Sequence, residues 1–123
     1  RPKDLPQLPI DSTLAKEVFT NLIANAITYS PEKATVRIGV EKKEREVTVS
    51  VIDQGIGIPK DEQVHIFERF FRASNAKRAV PGGSGLGLHI VKRFVESFGG
   101  KIWFESEIGK GTTFFVSLPL TQP

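Results

Sequence analysis

The residues of this chain with chemistry to offer are two asparagines, one aspartate and two glycine-rich stretches. Asn21 and Asn25 are four apart, so on a helix they stack on one side. At 100° per residue they point within about 20° of the Leu14/Val18 direction, into an apolar sector. Two carboxamides there cost roughly 1–3 kcal/mol each unless partnered. Either they tie down neighbouring backbone, or they face a cavity where a polar ligand or hydrated cation supplies the partners. Asp53 precedes Gly55 and Gly57. Glycine reaches backbone angles closed to other residues and lets a flat ligand approach the main chain. An ionised carboxylate accepts hydrogen bonds and cannot donate them. Asp53 therefore suits an amino group, such as the exocyclic amine of adenine. An Asp-Gly turn without a ligand is the competing reading.

The second glycine-rich stretch, Gly83-Ser84-Gly85-Leu86-Gly87-Leu88, sits immediately before a helical pattern. Exposed N–H groups and the positive end of a helix favour phosphate there. Two familiar phosphate loops fail on inspection. A dinucleotide-type GxGxxG beginning at Gly83 requires a glycine at position 88, and a P-loop beginning at Gly82 requires a lysine there; the residue is Leu88. Arg69 and Arg72 lie in Ile66-Phe67-Glu68-Arg69-Phe70-Phe71-Arg72 and offer fork-shaped donors for phosphate oxygens. The plainer reading of either arginine is a solvated side chain. Phe67, Phe70 and Phe71 are expected to anchor the following segment on the core.

The elements that position these residues follow from periodicity. Asp11 is a good N-cap, nothing breaks a helix from Ser12 to Tyr29, and Pro31 ends it. Val36, Ile38 and Val40 alternate with polar residues, as do Val47, Val49 and Val51, giving two strands around a Lys42–Glu46 loop. A short helical segment is expected from Asp61 to Phe71, then a mobile lid over Ser74–Gly83. A second long helix runs to Phe98, with Gly99-Gly100 as its C-cap. Strands near Lys101–Ser106 and Thr112–Leu118 flank an Ile108–Gly111 turn. The expected fold is α+β: a two-layer sandwich, its mixed, mostly antiparallel sheet carrying helices on one face.

At 123 residues the chain suits one domain. It has no cysteine and two histidines, which excludes disulfide scaffolds, thiolate zinc sites and histidine-rich metal sites. No stretch approaches the roughly 18 apolar residues of a membrane span. Lys and Arg total 17 against 14 acidic residues, and the net +3 does not argue for nucleic acid. Residues 1–10 hold three prolines and read as a linker, with the folded domain at 11–123; the Arg1 start suggests an excised piece.

Together these residues resemble the catalytic ATP-binding domain of bacterial sensor histidine kinases, within the superfamily of type II topoisomerases, the mismatch-repair ATPase and the heat-shock chaperone ATPase. Asn21–Ala26 with Tyr29-Ser30-Pro31 is similar to the N box, and Asp53–Ile58 to the first glycine box. Phe67–Arg72 is similar to the F box, Gly83–Leu88 to the second glycine box, and Gly109–Phe114 to the last. The match covers about Asp11 to Leu120.

The resemblance implies ATP bound with Mg²⁺ under a flexible lid. Asn25 matches the metal-holding position, and Asn21 stands near the phosphates. Thr28 and Tyr29 match residues lining the nucleotide. Asp53 matches the adenine-reading acid, supported by Gly55, Gly57, Ile58 and by Thr112 or Thr113. Backbone from Gly83 through Ser84, Gly85, Leu86, Gly87 and Leu88 would wrap the phosphates, with Arg69 or Arg72 reaching the terminal one. Family members often carry lysine where this chain has Thr28; Lys77 or Arg78 could supply that charge. The phosphoacceptor histidine lies on a separate dimerisation domain, and neither His65 nor His89 matches it. The implied partners are that domain in a homodimeric parent, of which this is a cytoplasmic domain, and a downstream response regulator, the isolated domain being monomeric. Hydrolysing clamps of the gyrase kind carry a glutamate four residues before the metal-binding asparagine. Here that residue is Asn21, a poor base, which favours a kinase over a hydrolase. A non-catalytic nucleotide-binding module is the other alternative.

Overall fold

The structure is a computed structural model that describes residues 12–120; the expected linker and the Asp11 cap lie outside the described residues. Pro31 stops the first helix where expected, and α1 runs Ser12–Tyr29. β1 (Arg37–Lys42) and β2 (Glu46–Ile52) form the first hairpin, its loop shortened because Lys42 and Glu46 join the strands. The helical segment expected over Asp61–Phe71 is instead a 3-10 helix, Lys60–His65, followed by turns. The expected lid is half helical: α2 spans Ser74–Ala79. Its start is held by Glu62, which accepts from the Ser74 N–H at 2.7 Å and the Ser74 hydroxyl at 2.6 Å. α3 spans Gly87–Ser97, and β3 (Lys101–Glu107) and β4 (Gly111–Pro119) complete the chain.

Gly99 and Gly100 close α3 by a Schellman pair. Gly99 N–H reaches Glu96 O and Gly100 N–H reaches Val95 O, both at 3.0 Å. The sheet order is β1-β2-β4-β3, with all three pairings antiparallel. Alternation then decides what is buried. Val47 and Val51 on β2 and Phe114, Val116 and Leu118 on β4 face the helices. Val18, Leu22 and Ala26 on α1, with Val91 and Val95 on α3, recur every four residues and complete that core. α1 and α3 pack against each other over the sheet. On the other face Trp103 and Phe115 stack with ring centroids 5.3 Å apart. Among the described residues no helix is long and apolar enough to cross a membrane.

The three phenylalanines do not share the anchoring role expected of them. Phe67 packs edge-on against Phe104 and Phe114, and Phe71 is half-buried beside His65. Phe70 has φ 67° and is 66% exposed, because its left-handed backbone turns the ring outward. That conformation costs a non-glycine residue roughly 1–2 kcal/mol. Phe70→Gly is therefore expected to leave stability unchanged or raise it by up to about 1 kcal/mol, after the extra freedom of the unfolded chain is counted. Urea unfolding checks this, and a loss beyond about 1 kcal/mol would show that the exposed ring packs.

Candidate functional site

A cleft of about 290 Å³ opens between the C-terminal half of α1, the turn after β2, α2 and the start of α3. Asn25 and Tyr29 enter it from α1, and Asp53, Gly57 and Ile58 from the turn. Gly83, Ser84, Gly85, Gly87 and Leu88 enter from the loop and first turn of α3, and Thr112 from β4. Arg72 lines the same space.

The Asp53 end is the most heavily bonded. Asp53 Oδ1 accepts from Gly55 N–H at 2.8 Å and from Thr112 N–H at 3.0 Å. The Asp53 N–H in turn donates to Thr112 O at 2.9 Å. Ile56 N–H bonds Tyr29 O at 3.2 Å, and Gly109 N–H bonds Ile56 O at 3.1 Å, so the turn is tied to both α1 and the β3–β4 turn. Burial pushes the Asp53 carboxyl above the ordinary aspartate range, opposed by the N–H groups of Gly55 and Thr112. Ionised Asp53 therefore costs stability above its raised midpoint, and that cost disappears as pH falls through it. Glu62 has the opposite sign. The Ser74 hydroxyl, then the Ser74 N–H, hold its carboxyl below the usual range. Its contribution to stability is present above its unfolded value of 4.5 and is lost as pH falls through the lowered one.

At the other end, α3 begins at Gly87, so the N–H groups of its first turn have no partner within the helix. Gly85 has φ 75°, and a Cβ there would stand 2.5 Å from the Phe70 carbonyl carbon. Glycine at 85 thus lets the loop pack directly on the Phe70 backbone, where Phe70 N–H donates to Gly85 O at 3.0 Å. Arg72 Nη2 donates to the Tyr29 hydroxyl at 2.8 Å and to Ala76 O at 3.2 Å, bridging α1 and α2. Its guanidinium also passes Gly83, where a Cβ would meet Cζ at 2.9 Å.

The two asparagines divide the two readings between them. Asn21 Nδ2 donates to Glu17 O at 2.9 Å and to Glu17 Oε2 at 3.3 Å, tying down its own helix. Its Oδ1 lies toward Gly87, 3.6 Å from where a Cβ would stand. Asn25 lines the cleft itself. Other expected residues fall outside its lining. Thr28 is exposed, Gly55 is buried behind Asp53, and Leu86 is half-buried at the N-cap of α3. Arg69 is exposed in a separate surface depression with His89, Lys92 and Glu96, so of the two arginines Arg72 reaches the cleft. Of the two threonines, Thr112 lines the cleft, and Thr113 has the opposite strand parity. His65 pairs with Glu68 at 2.7 Å on the surface, and His89 packs with Nδ1 3.2 Å from Phe67 O.

Three polar residues that brace the site were not singled out from the sequence. Ser106 Oγ accepts from Ile58 N–H at 2.8 Å and lies 2.7 Å from Thr112 Oγ1, knotting the first turn to the last. Its signal was a polar residue on the inward parity of Ile102 and Phe104. Gln63 Nε2 braces the same place, donating to Ile58 O and Ser106 O at 3.0 and 3.2 Å. Asn75 on α2 donates to Gly57 O at 2.8 Å.

The cleft thus brings together a carboxylate, an arginine and the start of a helix. The family described as histidine kinase-, DNA gyrase B- and HSP90-like ATPase matches residues 10–122. The chain is 45% identical over 115 residues to the sensor histidine kinase WalK of Bacillus subtilis (strain 168), covering 92% of this chain and 19% of WalK. Among solved structures it is similar to the mycobacterial sensor histidine kinase MprB, with TM-score 0.85, 32% identity, and 96% and 80% of the two chains covered. It is also similar to full-length ShkA in complex with AMPPNP, with TM-score 0.79, 28% identity, and 97% and 24% covered. The chain spans less than a third of the length of the curated relatives it matches. It belongs to the histidine kinase-, gyrase B- and HSP90-like ATPase family, as an ATP-binding catalytic domain of the sensor histidine kinase type.

Proposed function

We propose that this domain binds ATP with Mg²⁺ and presents the γ-phosphoryl group to a histidine on a separate dimerisation domain of a two-component kinase. The observation that carries the reading is the convergence of Asp53, Arg72, Asn25 and the start of α3 on one cleft. ShkA, a similar protein, was solved with an ATP analogue. Asp53 accepts the adenine amine. Gly57, Ile58 and Thr112 flank the base, and Tyr29 lies further along α1. The first-turn N–H groups of α3 and the loop from Gly83 hold the phosphates, and Arg72 turns from Tyr29 toward the terminal phosphate. Catalysis by these groups is positioning and charge neutralisation, with little covalent chemistry for the protein to perform. The histidine nitrogen bonds the γ-phosphorus as the bond to the bridging oxygen breaks, and ADP leaves.

Asn25 fits the metal. Its carboxamide oxygen is a hard ligand suited to Mg²⁺, which is usually held by one or two protein groups together with substrate phosphates. No group of three or more His, Asp, Glu or Cys stands together among the described residues, so the phosphates must supply most of the ligands. Mg²⁺, when bound, neutralises charge on the β- and γ-phosphates. Asn25→Ala is expected to abolish the Mg²⁺ dependence of nucleotide binding. Titrations with and without the ion check this, and a surviving dependence would contradict the assignment.

Since burial raises Asp53, nucleotide binding is expected to weaken as pH falls, with a midpoint above 3.8. Comparing binding curves of Asp53→Asn with wild type isolates that acidic limb, which the variant should lack.

The parent is read as a homodimeric kinase acting on a response regulator, with this cytoplasmic domain monomeric when isolated and residues 11–123 as its extent. Incubation with γ-labelled ATP and the histidine-bearing domain tests transfer. Acid-labile label on that domain is expected; intact binding without label would leave a nucleotide-binding regulatory module.

A further inference from the structure

The Arg72 guanidinium is held where α1, α2 and the glycine loop meet. Its Nη2 donates to the Tyr29 hydroxyl on α1 at 2.8 Å and to Ala76 O on α2 at 3.2 Å. The rest of the group lies against the loop. A Cβ at Gly83 would stand 2.9 Å from Cζ, 3.0 Å from Nε and 3.3 Å from Nη1. Tyr29, Arg72, Ala76 and Gly83 all line the cleft.

A guanidinium grips an anion through two parallel N–H groups. Its two forks are Nε with Nη2 and Nη1 with Nη2, because Cδ blocks the remaining edge. Both forks include Nη2, which has two hydrogens and already serves two acceptors. A phosphate gripped by Arg72 therefore displaces Tyr29 or Ala76. The phenolic oxygen is the weaker acceptor, because its lone pair is delocalised into the ring. Ala76 O is four residues along the chain and can follow Arg72, whereas Tyr29 is 43 residues away on α1. Tyr29 is the partner that gives way.

We propose that Tyr29 sets the preference of the site for ATP over ADP, its hydroxyl competing with the terminal phosphate for Arg72. The inference rests on the reading above that Arg72 reaches that phosphate, and deepens it. ADP has no γ-phosphate and leaves the Tyr29–Arg72 bond in place, and with it the bridge from α1 to α2. ATP exchanges the phenol for a phosphate oxygen and opens the bridge. The gain from the γ-phosphate is thus offset by the bond that Tyr29 loses.

The test is calorimetric titration of ATP and ADP, with Mg²⁺, into wild type, Tyr29→Phe, Arg72→Gln and the double variant. The readout is the ratio of the ADP to the ATP dissociation constant, which a loss of packing that weakens both nucleotides alike does not move. Tyr29→Phe keeps the ring and removes the acceptor, so the ratio should rise about 5-fold. Arg72→Gln should bring it toward one, and the double variant should match Arg72→Gln. Tyr29 is the single tyrosine of the chain, so ring-labelled tyrosine gives one NMR signal. In wild type ATP should move that signal further than ADP does, toward its position in nucleotide-free Arg72→Gln; this arm carries the test if Tyr29→Phe does not fold. A ratio that falls or stays unchanged in Tyr29→Phe would overturn the proposal, as would a rise that persists in the double variant or one tyrosine signal for both nucleotides. A wild-type ratio retained in Arg72→Gln would instead remove the reading of Arg72 beneath it.

Discussion

Asp53→Ala is expected to weaken ATP and ADP by the same factor, roughly 10- to 100-fold. The equality follows from position: Asp53 enters the cleft from the turn after β2, on a different element from the start of α3 and the Gly83–Gly85 loop, and both nucleotides carry the same base. The size has two sources. One is the hydrogen bond to the amine, strengthened by the charge on the carboxylate. The other is local order, since Asp53 Oδ1 holds the N–H groups of Gly55 and Thr112. Removing it frees the first glycine box from β4 as well as deleting the acceptor. Competition titrations of the two nucleotides measure the factor, and a loss confined to ATP would contradict the assignment.

The second large effect is expected at Gly57. Its φ is 75°, which alone costs an alanine roughly 1–2 kcal/mol. A Cβ there would also stand 2.2 Å from Glu107 O and 2.8 Å from Ile108 Cα. Those are backbone atoms, held in turn by the bond from Gly109 N–H to Ile56 O, so no side-chain rotation relieves the clash. Gly109 provides the comparison. Its φ is 78°, and a Cβ there would meet nothing within 4 Å. Gly109→Ala should show the conformational cost alone, about 1 kcal/mol, and retain nucleotide binding. Gly57→Ala should lose more than about 2 kcal/mol and most nucleotide affinity, because the turn carrying Asp53 must move. Denaturant unfolding of the two variants side by side checks this; equal losses would show that the Gly57 turn yields easily.

Much of this was readable from residue order. The 3.6-residue period of α3 and the alternation of β2 and β4 are both strong, because each element buries a single face. Asp53 and the glycine loop were found because their chemistry is local: an acceptor beside glycines, and N–H groups at a helix start. What alternation could not decide was Thr112 against Thr113. Phe114 and Phe115 are both apolar, and only the stacking of Phe115 on Trp103 shows that the outer face is aromatic too. Asn21 and Asn25 share a side of α1, so their different roles depend on what each meets across the fold, Glu17 for one and the cleft for the other. Arg69 and Arg72 are likewise three apart, but the left-handed backbone at Phe70 lies between them and sends them to different surfaces. Ser106 and Asn75 act through partners 48 and 18 residues away, a distance at which a single polar side chain leaves little local signature.

The central claim is that the cleft under α2 takes an adenine nucleotide, and titration of this chain with ADP and Mg²⁺ by calorimetry tests it most directly. Saturable binding in the micromolar to millimolar range, weakened in Asp53→Ala, is the expected result, equivalent to about −4 to −8 kcal/mol. No binding heat from wild type with either ADP or ATP would contradict it.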